Sequence, residues 1–241
     1  MHRFSLPTPL ADTPCLEYDS LHRGSLTPAP PKDMMETSSS SETLTLPVAI
    51  AHPDSITHDV TWRDERITFR PLRADDGQRL ARYFASLSPD TRRMFAPHPF
   101  TPQQAHSLCG DIDEDTMLRM VAVRPQSAPA SIIAYFVLSF ELPDEDRSRY
   151  QRYGVDLLAP ICRFGPSVSD SFQRQGLGSA LFPELLAIAC RFGCTCLTLL
   201  GGVYVDNEQA IRFYEKAGLR KQGVFTNRNG RQSYDMALWL R

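Results

Sequence analysis

The 241-residue chain has no run of about 18 apolar residues, the length that crosses a bilayer as a helix, so a soluble protein is expected. Neither sign of charge dominates: 26 basic against 28 acidic side chains leave a formal net charge of −2, which favours neither nucleic acid nor an anionic membrane as partner. The opening stretch MHRFSLPTPLADTPCLEYD lacks the apolar core of a signal peptide and soon turns acidic. A cytoplasmic location is therefore expected, with the six cysteines reduced and unbridged. Zinc spacing is missing too. Cys190, Cys194 and Cys196 have no histidine near them in sequence and are interrupted by Gly193, so they read as small core residues and no metal is expected.

What is present changes character near residue 60. Residues 1–59 are dense in Pro, Ser and Thr, with no sustained helical or strand period. Such a segment buries too little apolar surface to offset the roughly 1–2 kcal/mol per residue cost of ordering a backbone, and a disordered tail is expected there. Residues 60–241 read as one domain, and a chain that is 42% hydrophobic can fill its core.

Within that domain the patterns alternate. RITFRPL places Ile67 and Phe69 on one face of a strand, and ADDGQRLARYFASL places Leu80, Tyr83, Phe84 and Leu87 at helical spacing. SPDTRRMF and TPQQAHSLC read as short helices, the second with a Thr cap and Pro at its first position. TMLRMVAV and ASIIAYFVLSF follow as strands, ELPDEDRSRYQRYG as a charged loop, and LLAPICRFGPSV as the fourth strand counted from RITFRPL. Helix, strand (CLTLL), helix (NEQAIRFYEKA) and two closing strands complete an α/β (α+β) pattern: a mixed sheet with helices on its faces.

The helix after the fourth strand begins unusually, with SDSFQRQGLGSALF. A helix start leaves its first N–H groups unpaired and gathers about half a positive charge, so a glycine-lined start suits an anion. Gly176 and Gly178 withhold the side chains that would keep a phosphate from the backbone. Two common phosphate loops are excluded by their own spacing. The dinucleotide fingerprint needs a third glycine where Leu181 stands, and the P-loop needs a Gly-Lys-Ser/Thr that the chain lacks. Pro183, one turn into this helix, predicts either a kink or a later start.

Some thirty residues on, GGVYVDNEQAIRFYEKAGL can be capped by Asp206 or Asn207 and stopped by Gly218, and carries Tyr214 two turns after Asn207. Gln-x-x-Gly-x-Gly at 173–178 followed by Asn-x-x-Ala-x-x-x-Tyr-x-x-x-Gly at 207–218, in this order of elements, resembles the GNAT superfamily of acyl-CoA-dependent N-acetyltransferases. The resemblance spans residues 64–241 and is carried mainly from Val168 onward. It implies a twisted, mostly antiparallel sheet splayed between its fourth and fifth strands, with helices on both faces and acetyl-CoA in the gap. Backbone around Val168 would pair with the pantetheine arm. The loop of Gln173, Arg174, Gln175, Gly176, Leu177, Gly178 and Ser179 would hold the pyrophosphate, with Asn207 also at the cofactor. Gly201 and Gly202 either let backbone approach the cofactor or form a flexible turn.

The implied activity is direct acetyl transfer to a primary amine through a tetrahedral intermediate, with Tyr214 as the acid that protonates the leaving thiolate. Helix packing would explain Tyr214 without catalysis, and capping would explain Asn207. The amine's base is unassigned, because no carboxylate lies between Asp156 and Asp170 on the fourth strand; Glu141, Asp170, His98 and bulk water are the candidates. A small amine, amino sugar or amino acid is the first choice of acceptor, a protein N-terminus or lysine the second. A non-catalytic acyl-CoA-binding or interaction module on the same fold is the alternative of another class, and a homodimer is compatible with either.

Overall fold

The structure, a computed structural model, describes residues 43–95 and 97–240. Its helices are α1 (Leu46–Ala51), α2 (Gly77–Ser86), α3 (Pro89–Met94), α4 (Pro102–Gly110), α5 (Asp144–Arg152), α6 (Leu177–Arg191) and α7 (Glu208–Lys216). Its strands are β1 (His58–Trp62), β2 (Glu65–Pro71), β3 (Met117–Arg124), β4 (Ser131–Ser139), β5 (Ile161–Val168), β6 (Cys196–Leu199), β7 (Val203–Tyr204), β8 (Arg220–Thr226) and β9 (Gln232–Trp239). They form one sheet in the order β1-β2-β3-β4-β5-β6-β9-β7, with β8 also on β9. Every pairing is antiparallel except β5 with β6.

Strand alternation sends the two sets of side chains to opposite faces. Leu118, Met120 and Ala122 of β3 pack with α1, α6 and α7, while Val121 and Val123 pack with α2 and α4. Helices thus cover both faces, as expected. Local chemistry fixes their starts: Ser88 Oγ accepts from Thr91 N at α3 and Thr101 Oγ1 from Gln104 N at α4, each with proline at the first turn.

The gap in the sheet follows from pairing that stops short. β5 and β6 run parallel only from Ile161↔Cys196 to Phe164↔Leu199, and Leu200 N–H still reaches Phe164 C=O at 2.8 Å. Beyond Phe164 the strands part. On its other side β5 stays paired with β4 as far as Ala134↔Val168.

Three expectations need correction. The tail ends earlier than residue 59: α1 buries Leu46 and Ala49, and β1 adds Val60 and Trp62 to the core. A six-residue helix and a five-residue strand are too short to carry a periodic signal beside so polar a neighbourhood. The expected tail over 1–42 lies outside the described residues. ELPDEDRSRYQRYG is mostly helix, α5, polar around nearly its whole circumference with only Tyr150 buried; acidic residues in its first turn and arginines in its last suit the helix dipole. α6 starts where the glycine motif places it, and Pro183 sits inside it on the exposed side. The carbonyl that loses its partner belongs to exposed Ser179, where water can replace the missing bond. Cys109, Cys162, Cys194 and Cys196 are free and buried. Among the described residues no helix is long and apolar enough to cross a membrane.

Candidate active site

A cleft of about 1440 Å³ runs from the start of α6, along the gap between β5 and β6, to α5 and the segment around His98. Its first end is built from backbone. Gly176 caps α6 at φ +83°, a left-handed conformation that favours glycine, and Arg174 adopts φ +59° two residues earlier. Ala180 N–H is the first in the helix to find a backbone acceptor, at Gly176 C=O (3.0 Å). Among the described residues, none of the six amides from Arg174 to Ser179 bonds another backbone group.

The side chains of this loop turn away to brace it. Gln173 Nε2 donates to Val168 C=O and Thr91 Oγ1, both at 3.0 Å, and Gln175 Nε2 donates to Ser171 C=O. Trp62 Nε1 donates to Gln175 C=O at 3.0 Å and Arg63 to Gln175 Oε1 at 2.7 Å, so the β1–β2 turn pins the loop from outside. Arg174 Nε reaches Gln209 at the start of α7, and Leu177 is buried in the core. Polar and apolar anchors alike hold the loop with its amides directed away from backbone acceptors.

The open edge of β5 continues the site. Ser169 N–H bonds Ile133 C=O, which sets the alternation so that Gly165 and Ser167 face β4 while Pro166 and Val168 face the gap. Proline costs no ladder bond there, and with Val168 C=O taken by Gln173, the edge presents Pro166 C=O and Val168 N–H. Tyr214 lies on the other wall. Its ring meets Phe164 edge-on with centroids 5.7 Å apart and touches Phe213, and its hydroxyl makes no hydrogen bond among the described residues. Burial pushes its phenol above the ordinary tyrosine range. Asn207 Oδ1 accepts from Ala210 N at 3.2 Å, which is the capping role, and the residue also borders the cleft. Gly202 has a structural cause: at φ +71°, a Cβ there would stand 2.8 Å from Tyr234 C=O.

The far end is built from side chains. Arg163, at the cleft-facing position of β5, donates to Glu141 C=O, Asp146 and Ser139. Arg149 of α5 forks onto buried Asp235 of β9, holds Asp146 and stacks on Phe225. Of the three candidate bases, the structure brings two to the cleft. His98 packs against Phe84, Phe100 and Tyr135, with Nδ1 3.0 Å from Pro99 C=O and Nε2 3.1 Å from the Tyr135 hydroxyl. Desolvation lowers its pKa and keeps it neutral at pH 7. Asp170 instead ties down α3, accepting from Ser88 N (2.9 Å), Ser88 Oγ and Thr91 Oγ1 (2.8 Å). Burial raises its pKa, but those bonds lower it more, which makes it a poor base. Glu141 is exposed and lies outside the cleft lining.

Several cleft residues carry no local sequence signal. Tyr83 of α2 donates to Ser167 Oγ of β5 at 2.9 Å across 84 residues, and Arg119 of β3 reaches the same cleft. Only the strand register brings these together.

The model of the acetyltransferase (GNAT) family matches residues 164–219, from β5 at Phe164 through α7 to Leu219. No curated protein gives a significant match. Among solved structures, the GNAT domain of S. lividans PAT is 19% identical at TM-score 0.59, covering 78% of this chain and 98% of its own. The ribosomal-protein-S5-alanine acetyltransferase from Vibrio fischeri is 15% identical at TM-score 0.57, covering 75% and 97%. The aminoglycoside acetyltransferase AAC(6')-Ib in complex with coenzyme A is 18% identical at TM-score 0.55, covering 72% and 94%. These structures show that the chain has the fold of GNAT acetyltransferases, and the family match spans the loop at the start of α6 and Tyr214.

Proposed function

We propose that the chain is an acetyl-CoA-dependent N-acetyltransferase whose acceptor is a small primary amine. The observation that carries this reading is the row of unpaired amides from Arg174 to Ser179, continuous with an open strand edge that leads to Tyr214. The amides and the positive end of α6 suit a diphosphate. Pro166 C=O and Val168 N–H offer one acceptor and one donor to an amide-bearing arm laid along β5. Acetyl-CoA, when bound, supplies a thioester with an electrophilic acyl carbon.

The chain's own residues do the rest. Tyr214 holds its proton at Oη throughout the neutral range, because burial disfavours the phenolate, and can pass it to the sulfur as the carbon–sulfur bond breaks. The attacking nitrogen forms the new bond as a neutral amine and sheds its extra proton to water or to His98, the imidazole bordering the cleft. The cleft-facing position of β5 is held by Arg163 and not by a carboxylate. The second acceptor class is a protein N-terminus or lysine, since a ribosomal protein is named as the substrate of one structural neighbour. A binding module without turnover is disfavoured by the retained phenol beside the gap.

The test is thiol release from acetyl-CoA with a panel of amines, for wild type and Tyr214→Phe. Turnover by wild type with a kcat drop of about 10²- to 10⁴-fold in the variant supports the assignment. Undiminished turnover in Tyr214→Phe removes Tyr214 from the chemistry, and absence of turnover despite acetyl-CoA binding favours the binding module.

A further inference from the structure

Arg119 stands apart from the other arginines of the cleft. Arg149 and Arg163 are saturated with carboxylates and carbonyls, whereas Arg119 Nε is buried with no hydrogen-bond partner among the described residues, and the polar contact of its guanidinium is the neutral Tyr135 hydroxyl. The carboxylates that border the cleft are otherwise engaged: Asp146 by Arg149 and Arg163, Asp170 by Ser88 and Thr91, Glu145 by Arg228, and Asp90 by Arg93. Its near neighbours are neutral, His98 and the buried Tyr135 hydroxyl, and its charge helps to keep His98 unprotonated. A partly buried guanidinium without a counter-charge is costly, and its planar fork matches a carboxylate.

Its place in the sheet sets what it can reach. The register Arg119↔Val137↔Gly165 puts it on the cleft face two strands from β5, about 10 Å at the usual strand spacing. β5 at Gly165 is where the gap beside Phe164 and Tyr214 opens. An amine presented at that gap shares one cleft with the arginine, since Phe164, Tyr214 and Arg119 all line it, with Phe95 covering Gly165 on the way.

We propose that Arg119 is a specificity residue that binds the carboxylate of an acceptor carrying amine and carboxylate close together, that is, a free amino acid. The inference rests on the acyl-transfer reading and narrows it. An amino sugar bearing several ammonium groups meets like charge at Arg119 and no free carboxylate beside it, so this class is disfavoured.

The test uses the full chain with acetyl-CoA and three acceptor arms: the common amino acids, their carboxamides, and phosphoethanolamine. Thiol release is measured for wild type, Arg119→Gln and Arg119→Lys, with acetyl-CoA titrated into each by calorimetry. At least one amino acid is expected to exceed its carboxamide in kcat/KM by about 10- to 100-fold, the worth of a charge-assisted contact. Arg119→Gln should abolish that ratio mainly through KM, and Arg119→Lys should restore part of it, with acetyl-CoA binding unchanged in both. Equal use of acids and carboxamides, preference for phosphoethanolamine, an unchanged ratio in Arg119→Gln, or no acid acetylated although acetyl-CoA binds would each overturn the proposal. Failure of wild type to bind acetyl-CoA would instead remove the acyl-transfer reading beneath it.

Discussion

At the start of α6 the cleft is lined by backbone amides that have no backbone partner among the described residues; beneath α5 it is lined by side chains, and nearly every one is paired. The first end is held by glutamines turned inward, by Trp62 from the β1–β2 hairpin and by Leu177 in the core, and its six amides have no backbone partner among the described residues. The second end is a lattice of arginines and carboxylates joining β5, α5 and β9. The difference teaches where generality and specificity are stored. Backbone amides suit a phosphate group whatever it is attached to, while a side-chain lattice can be rewritten residue by residue around one group, here Arg119, that has no carboxylate partner among the described residues.

That comparison can be broken in three places. The largest effect is expected where the two ends meet. Tyr214→Phe should lower kcat by about 10²- to 10⁴-fold while leaving acetyl-CoA affinity intact, measured by thiol release and calorimetry. Because burial raises the phenol above its ordinary value of about 10, a proton needed on Tyr214 is not lost below that pH. The wild-type kcat/KM should therefore rise with pH as the acceptor amine loses its proton and show no alkaline fall before pH 10.

Next comes the support of the side-chain end. Asp76, fully buried at the start of α2, forks onto Arg70 at 2.7 and 2.9 Å and accepts from Arg73 N–H. Asp76→Ala leaves Arg70 buried and uncompensated, and should cost about 3–5 kcal/mol in urea unfolding. Burial alone raises the Asp76 pKa, but these partners lower it more; Asp113 and Asp170 are lowered likewise by the hydrogen bonds they accept. A carboxyl with a folded pKa below its unfolded value of about 3.9 stabilises fully above that value and loses its contribution as pH falls. All three sit on the α2–α4 side, so hydrogen exchange between pH 5 and 3 should show α2, α3 and the start of β3 loosening before α6. The smallest effect is expected at the outer brace. Trp62→Phe removes one hydrogen bond to Gln175 C=O, worth about 1 kcal/mol, and should weaken acetyl-CoA binding less than tenfold.

Legibility in the sequence follows the same division. The loop at 173–178, Tyr214 and most strands could be read because each depends on near neighbours in the chain: a left-handed glycine, a cap, a two-residue alternation. The far end could not. Arg119 meets Tyr135, and Arg163 is linked to Asp235 through Asp146 and Arg149, only once the strands are in register and α5 is in place, and α5 is held by ion pairs with no apolar stripe to announce it. His98 reads from the sequence more readily as an exposed loop residue than as a site residue, because Phe84, Phe100 and Tyr135 gather around it only in the fold. β1 and α1 were hidden by the polar composition of the segment before residue 60, although Trp62 of β1 turns out to steady the loop.

The central claim is that the unpaired amides at the start of α6 hold acetyl-CoA. It is tested most directly by calorimetric titration of acetyl-CoA into wild type, Gly178→Ala and Gly178→Glu. A Cβ at Gly178 would lie 3.5 Å from Phe213, an ordinary contact, so the alanine variant controls for folding and the glutamate variant adds bulk and negative charge at the amides. The account predicts binding to wild type, near-normal binding to Gly178→Ala, and a loss of about 100-fold or more in a folded Gly178→Glu. No binding to wild type, or undiminished binding to the glutamate variant, would contradict it.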